Sequence, residues 1–243
     1  MYNKFVAQLF IGCFLITGNI SCTEKETEEP DSVKGKLTGL VKKSDGTPLN
    51  NVKIIVDNSI LFNSNINTKT NAEGRYAVDV PIGSWFAFAQ HKVRYNDLEY
   101  TLYLKPDKEQ GFGREGGIRN FTWVLTGTMP QPLSGTFGGL VTFDNFPGEF
   151  VENEREILWR FEPVGNLIDG STGQTITRNS EDGDTIEDLP IGRYRVSANY
   201  SGQPLKLRRW NTDEPFVNSY VFDFQPVIDA QCHNCFKLEY RKY

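Results

Sequence analysis

Histidine is nearly missing from this chain: two residues, His91 and His233, in a sequence of 243. Neither opens an HxxE or HExxH arrangement, so the zinc chemistry of a metallopeptidase finds no ligand set. A GxSxG elbow and a phosphate-cradling glycine loop are also absent, and none of the 31 acidic residues has a context that marks an acid/base pair. The sequence therefore argues against an enzyme, and no cofactor is expected. A basic excess is lacking too: 26 Lys and Arg stand against 31 Asp and Glu. Without a positive field to neutralise phosphates, nucleic acid is not an expected partner.

Long apolar runs are missing except at the start. MYNK is followed by FVAQLFIGCFLITGNISC, a short positive opening and then an apolar stretch broken by Gln8, Gly12 and Cys13. The unbroken part falls short of the ~20 residues that a spanning helix needs, so residues 1–21 read as an export signal. Ile20, Ser21 and Cys22 resemble the lipobox of bacterial lipoproteins, which implies a lipid on Cys22; Asn19 stands where that pattern usually has Leu, and ordinary cleavage is the alternative. Residues 22–34 hold five acids against Lys25 before Val33, the composition of a solvated tether. Such acids resemble signals that send some lipoproteins to the outer surface; a plain spacer is the other reading. Loss of Lys4 with the signal leaves 25 basic against 31 acidic residues, a net of −6, of which the tether carries −4.

What is present in quantity is glycine, proline and aromatic punctuation, the texture of an all-β sandwich. It also repeats. GKLTGLV at 35–41 returns as GTFGGLV at 135–141, an offset of 100, while Gly74, Pro81 and Gly83 return as Gly183, Pro190 and Gly192 at an offset of 109. Similarity at this period implies two tandem domains, 35–127 and 135–243, each expected to enclose its own apolar interior. Alternation puts Trp85, Ala87 and Ala89, and likewise Tyr194, Val196 and Ala198, toward the core. Val52, Ile54 and Val56 match Ile157, Trp159 and Phe161; Phe121, Trp123 and Leu125 match Phe236, Leu238 and Tyr240. The twice-used phrase VPIG and LPIG reads as a hairpin corner, with Gly83 and Gly192 supplying positive φ.

Gly39-Leu-Val, DGTPL at 45–49, VKIIV at 52–56, TKTNAEGRYAV at 68–78 and the VPIG corner resemble a carboxypeptidase regulatory-like domain. The resemblance covers residues 35 to about 126, and the second half departs from it by lacking the DGxPL turn. It implies a transthyretin-like (prealbumin-like) Greek-key β-sandwich that binds or spaces without catalysing. Similar lipoproteins accompany glycan-uptake systems of the outer membrane, so the resemblance implies an outer-membrane or cell-surface lipoprotein, held by its lipid alone, with a glycan or an envelope protein as partner.

Four local features ask for a reading. CHNC, Cys232 to Cys235, holds the thiols left after Cys13 is removed and Cys22 acylated, so a disulfide is expected; a Cys2His metal site through His233 is the rival. NSEDGD at 179–184 gathers acids as a calcium loop does, although NAEG at 71–74 occupies the same place and reads as a hairpin turn. Trp210, with Arg208, Arg209 and Asp213 around it, is the candidate ligand surface, because an indole face flanked by planar donors and acceptors suits a sugar ring; the alternative is a tryptophan folded over the sandwich edge. Phe86 and Phe88 fall opposite the core, beside Tyr103, and are expected to pack between domains.

Overall fold

The structure, a computed structural model, describes residues 33–228 and 232–242. The export signal, Cys22 and the tether up to residue 32 lie outside the described residues.

Nine strands come from the first half: β1 (Lys36–Lys43), β2 (Lys53–Asn58), β3 (Asn65–Lys69), β4 (Arg75–Asp79), β5 (Trp85–Tyr95), β6 (Leu98–Tyr103), β7 (Lys105–Pro106), β8 (Gly116–Ile118) and β9 (Phe121–Trp123). They form one sheet in the order β4-β1-β9-β7, with β8 also along β1, and a second in the order β3-β2-β5-β6. Ten follow in the second half: β10 (Gly139–Asn145), β11 (Leu158–Pro163), β12 (Ile176–Asn179), β13 (Thr185–Leu189), β14 (Arg193–Tyr200), β15 (Gln203–Pro204), β16 (Lys206–Arg209), β17 (Tyr220–Asp223), β18 (Gln225–Ile228) and β19 (Cys232–Arg241). These order as β13-β10-β19-β16, with β18 along β19, and as β12-β11-β14-β15, with β17 along β14. Among the described residues no strand of one half pairs with a strand of the other. The chain is all-β, two sandwiches in tandem.

The strand registers make the repeat concrete. Val41 lies opposite Phe121 and Val141 opposite Phe236, both in parallel pairs. Ile54 faces Ala89 as Trp159 faces Ala198, and Asn58 faces Trp85 as Pro163 faces Tyr194. The offset has grown from 100 at Val141 to 105 at Trp159, so the longer middle of the second copy begins in the loop between β10 and β11.

Every core triplet expected from alternation is buried except that Leu125 is only partly covered. The interiors differ from expectation in one respect: the buried side chains of both halves connect into a single cluster. Tyr100 of β6 is one link between them, since it is fully buried and its hydroxyl reaches the Phe224 carbonyl of the second sandwich.

The repeated phrase has a different origin from the one its sequence suggests. β4 pairs with β1 and β5 with β2, so the corner crosses from one sheet to the other and is no hairpin; the same holds for β13 and β14. Nor does either glycine adopt a positive φ among the residues that do. Close approach is what requires them. A Cβ on Gly83 would sit 2.8 Å from Trp85 Nε1, and one on Gly192 would sit 2.7 Å from Leu167 Cδ2. The room is used identically in both copies: Trp85 Nε1 donates to the Pro81 carbonyl at 3.1 Å, and the Tyr194 hydroxyl donates to that of Pro190 at 2.9 Å. An aromatic four residues on folds back onto its own proline, which satisfies a polar group that core burial would otherwise orphan.

Candidate functional site

The segment expected to hold a ligand lies at the edge of the second sandwich. β16 supplies Arg208 and Arg209, and an isolated bridge between Leu207 and Val217 closes the intervening loop. Leu207 is buried, so alternation sends Arg208 to the outer face of the sheet. There its Nε donates to Glu239 Oε1 at 2.7 Å, in a pair whose side chains keep 18% and 8% exposure. The same guanidinium stacks 4.4 Å from the ring of Phe216 and 5.2 Å from that of Phe146. Arg241 covers Phe216 at 4.5 Å, and Phe146 meets Phe216 edge-on at 5.4 Å. This is an Arg–Phe layer over a largely buried carboxylate, in which the Arg208 Nε is engaged by Glu239 and its plane lies against two rings.

The other three expected residues do not converge with it. Arg209 points along the strand edge toward Phe236, 5.9 Å from the ring centroid. Asp213 is exposed at the loop tip. Trp210 keeps 41% of its surface exposed and carries the Lys237 ammonium 5.1 Å from its ring. The tryptophan is open to solvent as expected, whereas the polar frame around it is not assembled as one site.

A second constellation, which sequence reasoning did not single out, holds the two sandwiches together. Asn96 and Asp97 both have positive φ, 46° and 68°, the turn that a two-residue loop between twisted strands favours. That turn delivers the tip of the β5–β6 hairpin to the second sandwich. Tyr95 donates its hydroxyl to the Asn166 carbonyl at 2.7 Å and accepts from the Arg193 backbone N–H at 3.0 Å. Asn96 Nδ2 donates to Asp223 Oδ1 at 2.6 Å, and the same carboxylate takes the forked Arg193 guanidinium at 2.6–3.2 Å. Deeper in, the Tyr100 hydroxyl donates to the Phe224 carbonyl at 2.6 Å. Burial, with the Asp223 charge second, holds the Tyr100 hydroxyl well above the usual phenol range. It therefore stays a donor throughout the accessible pH range.

The connecting segment is fastened as well. Asp188 interrupts β13 with a φ of 58°, where the register between β10 and β13 shifts, and its carboxylate accepts the backbone N–H groups of Gly127 and Gly138. A non-glycine in the left-handed region costs on the order of 1 kcal/mol or more, so the clamp holds against local strain. The Asn96–Asp97 dipeptide was a legible turn signal. Nothing in the sequence says that its tip docks.

Of the remaining expectations, Cys232 and Cys235 are bridged, which removes both thiolates from any metal site through His233. The ring lies inside β19 with Asn234 at a φ of 55°, beside a cleft of about 630 Å³ that the connecting segment walls on its other side. Of the NSEDGD acids, Asp182 is spent locally: it accepts from Ser180 Oγ at 2.6 Å and from the Thr185 N–H and hydroxyl, which holds its carboxyl far below the usual range. The turn joins β12 to β13 in the opposite sheet, as NAEG joins β3 to β4, so neither is a hairpin. Phe86 and Phe88 are half-buried, and what shares a cavity with them is Pro130, Gln131 and Leu133 of the connecting segment together with Gln110, in place of the second sandwich. No group of three or more His, Cys, Asp or Glu among the described residues is arranged to hold a metal ion.

No protein-family model and no curated protein matches the chain. Among solved structures it is similar to the Bacillus anthracis TIE protein, at 14% identity and a TM-score of 0.31 over 86% of this chain and 34% of that one. It is also similar to a streptococcal ancillary pilin, at 11% identity and a TM-score of 0.27 over 88% and 64%, and to a single B repeat unit of the Staphylococcus aureus collagen-binding surface protein, at 12% identity and 0.23 over 87% and 99%. The chain thus spans about a third of the TIE protein's length and under two thirds of the pilin's.

Proposed function

We propose that this protein is a non-catalytic module of the cell envelope, anchored by a lipid on Cys22, whose two sandwiches act as one spacing and adhesive unit toward another envelope protein. The first sandwich is read here as a carboxypeptidase regulatory-like domain and the second as its divergent copy. The observation that carries the proposal is the seam: the buried Tyr100–Phe224 bond, the Asn96–Asp223 bond and the Asp188 clamp on the connecting segment all cross from one half to the other, as in a unit built to keep its halves in register. A flexible pair of sugar-binding beads would not need them.

Calorimetry of the full chain tests it. One melting transition is expected, splitting into two in Tyr100→Ala. Beads carrying the protein should retain an envelope protein in the absence of sugar, and turnover of any polysaccharide or peptide by the purified chain overturns the reading.

A carbohydrate partner is the second reading, and the open indole of Trp210 favours it. Binding to a glycan panel that Trp210→Ala abolishes would put that reading first.

A further inference from the structure

We infer that the end of the first sandwich nearest the tether seats an apolar tip in the lipid surface to which the chain is anchored; the inference rests on the lipid-anchor reading of Cys22. In the loop between β2 and β3, Ile60, Leu61 and Phe62 are consecutive and keep 78%, 61% and 101% exposure, and Ile82 in the neighbouring corner keeps 81%. Their exposure is built in. Asn58 Oδ1 accepts the N–H groups of Ile60 and Leu61, Ser64 donates back to the Leu61 carbonyl, and Ser59 donates to the Ser84 carbonyl, so the backbone is satisfied while the side chains face outward.

Where the chain comes in decides what covers the tip. β1 begins at this same end: Lys36 lies opposite Asp79, and Val80 donates to the Gly35 carbonyl just before the Ile82 corner. Val33, itself 46% exposed, is the first described residue, eleven steps from Cys22. Eleven residues reach at most ~40 Å and as a coil about 18 Å, so a lipid on Cys22 keeps this end beside the bilayer at high effective concentration. The tip itself is uncharged, since no residue from Asn58 to Thr68 or from Val80 to Ser84 carries a charge; Asp57 at the foot of the loop lines the same hollow, and the nearby Asp79 is paired with Lys36 at 2.7 Å. Ile60, Leu61, Phe62 and Ile82 can enter a lipid interface from the outer end of the loop while Asp57, at its foot, stays in the headgroup water.

The test places a benzophenone-bearing phenylalanine at Phe62, or at Glu73 in the turn at the opposite end, in the full chain displayed on vesicles of phosphatidylethanolamine and phosphatidylglycerol carrying an alkyne-tagged lipid. Irradiation is expected to give a lipid adduct from position 62 and none from 73. A chain that floats with the vesicles but forms no adduct at 62 overturns the tip alone. A chain that does not float overturns the anchor, and the tip with it. A chain-to-chain adduct at 62 assigns the tip to a second copy and overturns the lipid assignment.

Discussion

Tyr100 and Phe224 are joined across the two sandwiches by a buried hydroxyl-to-carbonyl bond of 2.6 Å. Because both residues are at 0% exposure, water cannot replace either partner. Tyr100→Phe leaves the Phe224 carbonyl unsatisfied and is expected to cost about 1–3 kcal/mol in urea unfolding. An unchanged midpoint would mean that the seam is held by packing alone.

The two corner glycines give a sharper contrast. Gly83→Ala and Gly192→Ala drive a methyl to within 2.8 Å and 2.7 Å of heavy atoms, and each is expected to destabilise by roughly 1–3 kcal/mol. Neither has a positive φ, so the cost is steric and not conformational. Shortening Trp85 to Phe beside Gly83→Ala should recover part of the loss, as thermal melts of the two variants would report.

Arg208 and Trp210 separate structure from binding. Arg208→Ala takes the guanidinium from the Glu239 carboxylate and leaves it the Asn211 N–H as donor, so the loss should approach from below the roughly 3–5 kcal/mol of a broken buried pair. Trp210→Ala removes a partly exposed side chain, 41% open to solvent, and should lower the melting temperature less than Arg208→Ala does. Equal losses in the two variants would contradict the assignment of Arg208 to an internal layer.

Acid should weaken the fold in two stages of the same sign. Burial, then the Lys43 charge, lowers the His91 pKa below its ordinary value of 6.5, so its contribution is complete above that value and declines as pH falls beneath it. Bonds from Ser180 and Thr185 depress Asp182, whose contribution is present above the unfolded carboxylate pKa of about 4 and is lost as pH falls below it. Asp184 opposes it, since burial and the charge of Asp182 raise its pKa. Asp182→Asn should therefore flatten the unfolding profile below pH ~4 and leave the His91 stage unchanged.

Reduction offers the last test. Opening the Cys232–Cys235 ring, by dithiothreitol or by Cys235→Ser, should cost on the order of 2 kcal/mol on the chain-entropy account. A change confined to β19 and its neighbours in hydrogen exchange would mark the ring as a local staple.

The sandwich class, the repeat and the core faces could be read from the sequence because they follow from period-two alternation, which Trp85, Ala87 and Ala89 display as plainly as Tyr194, Val196 and Ala198. The corner could be located but not explained. A glycine required for close approach looks the same on paper as one required for positive φ, and only the position of the Trp85 ring separates them. The seam could not be read at all, since Tyr95, Tyr100 and Asp223 sit in ordinary alternating strands and acquire meaning only when a residue 124 positions away, in the case of Tyr100, comes within bonding distance. At Trp210 exposure was legible, while the capture of Arg208 by Glu239 depended on a cross-strand register that composition does not encode.

The parallel pairing of first and last strands also governs how the protein answers a pull. β10 and β19 run side by side in the same direction, from Leu140 opposite Cys235 to Asn145 opposite Tyr240, and β1 and β9 do so from Val41 to Lys43. Tension applied at the opposite ends of such a pair slides one strand along the other, so the ladder bonds are strained together instead of parting one at a time. Each sandwich is thereby arranged to spread a load over its terminal ladder before it yields.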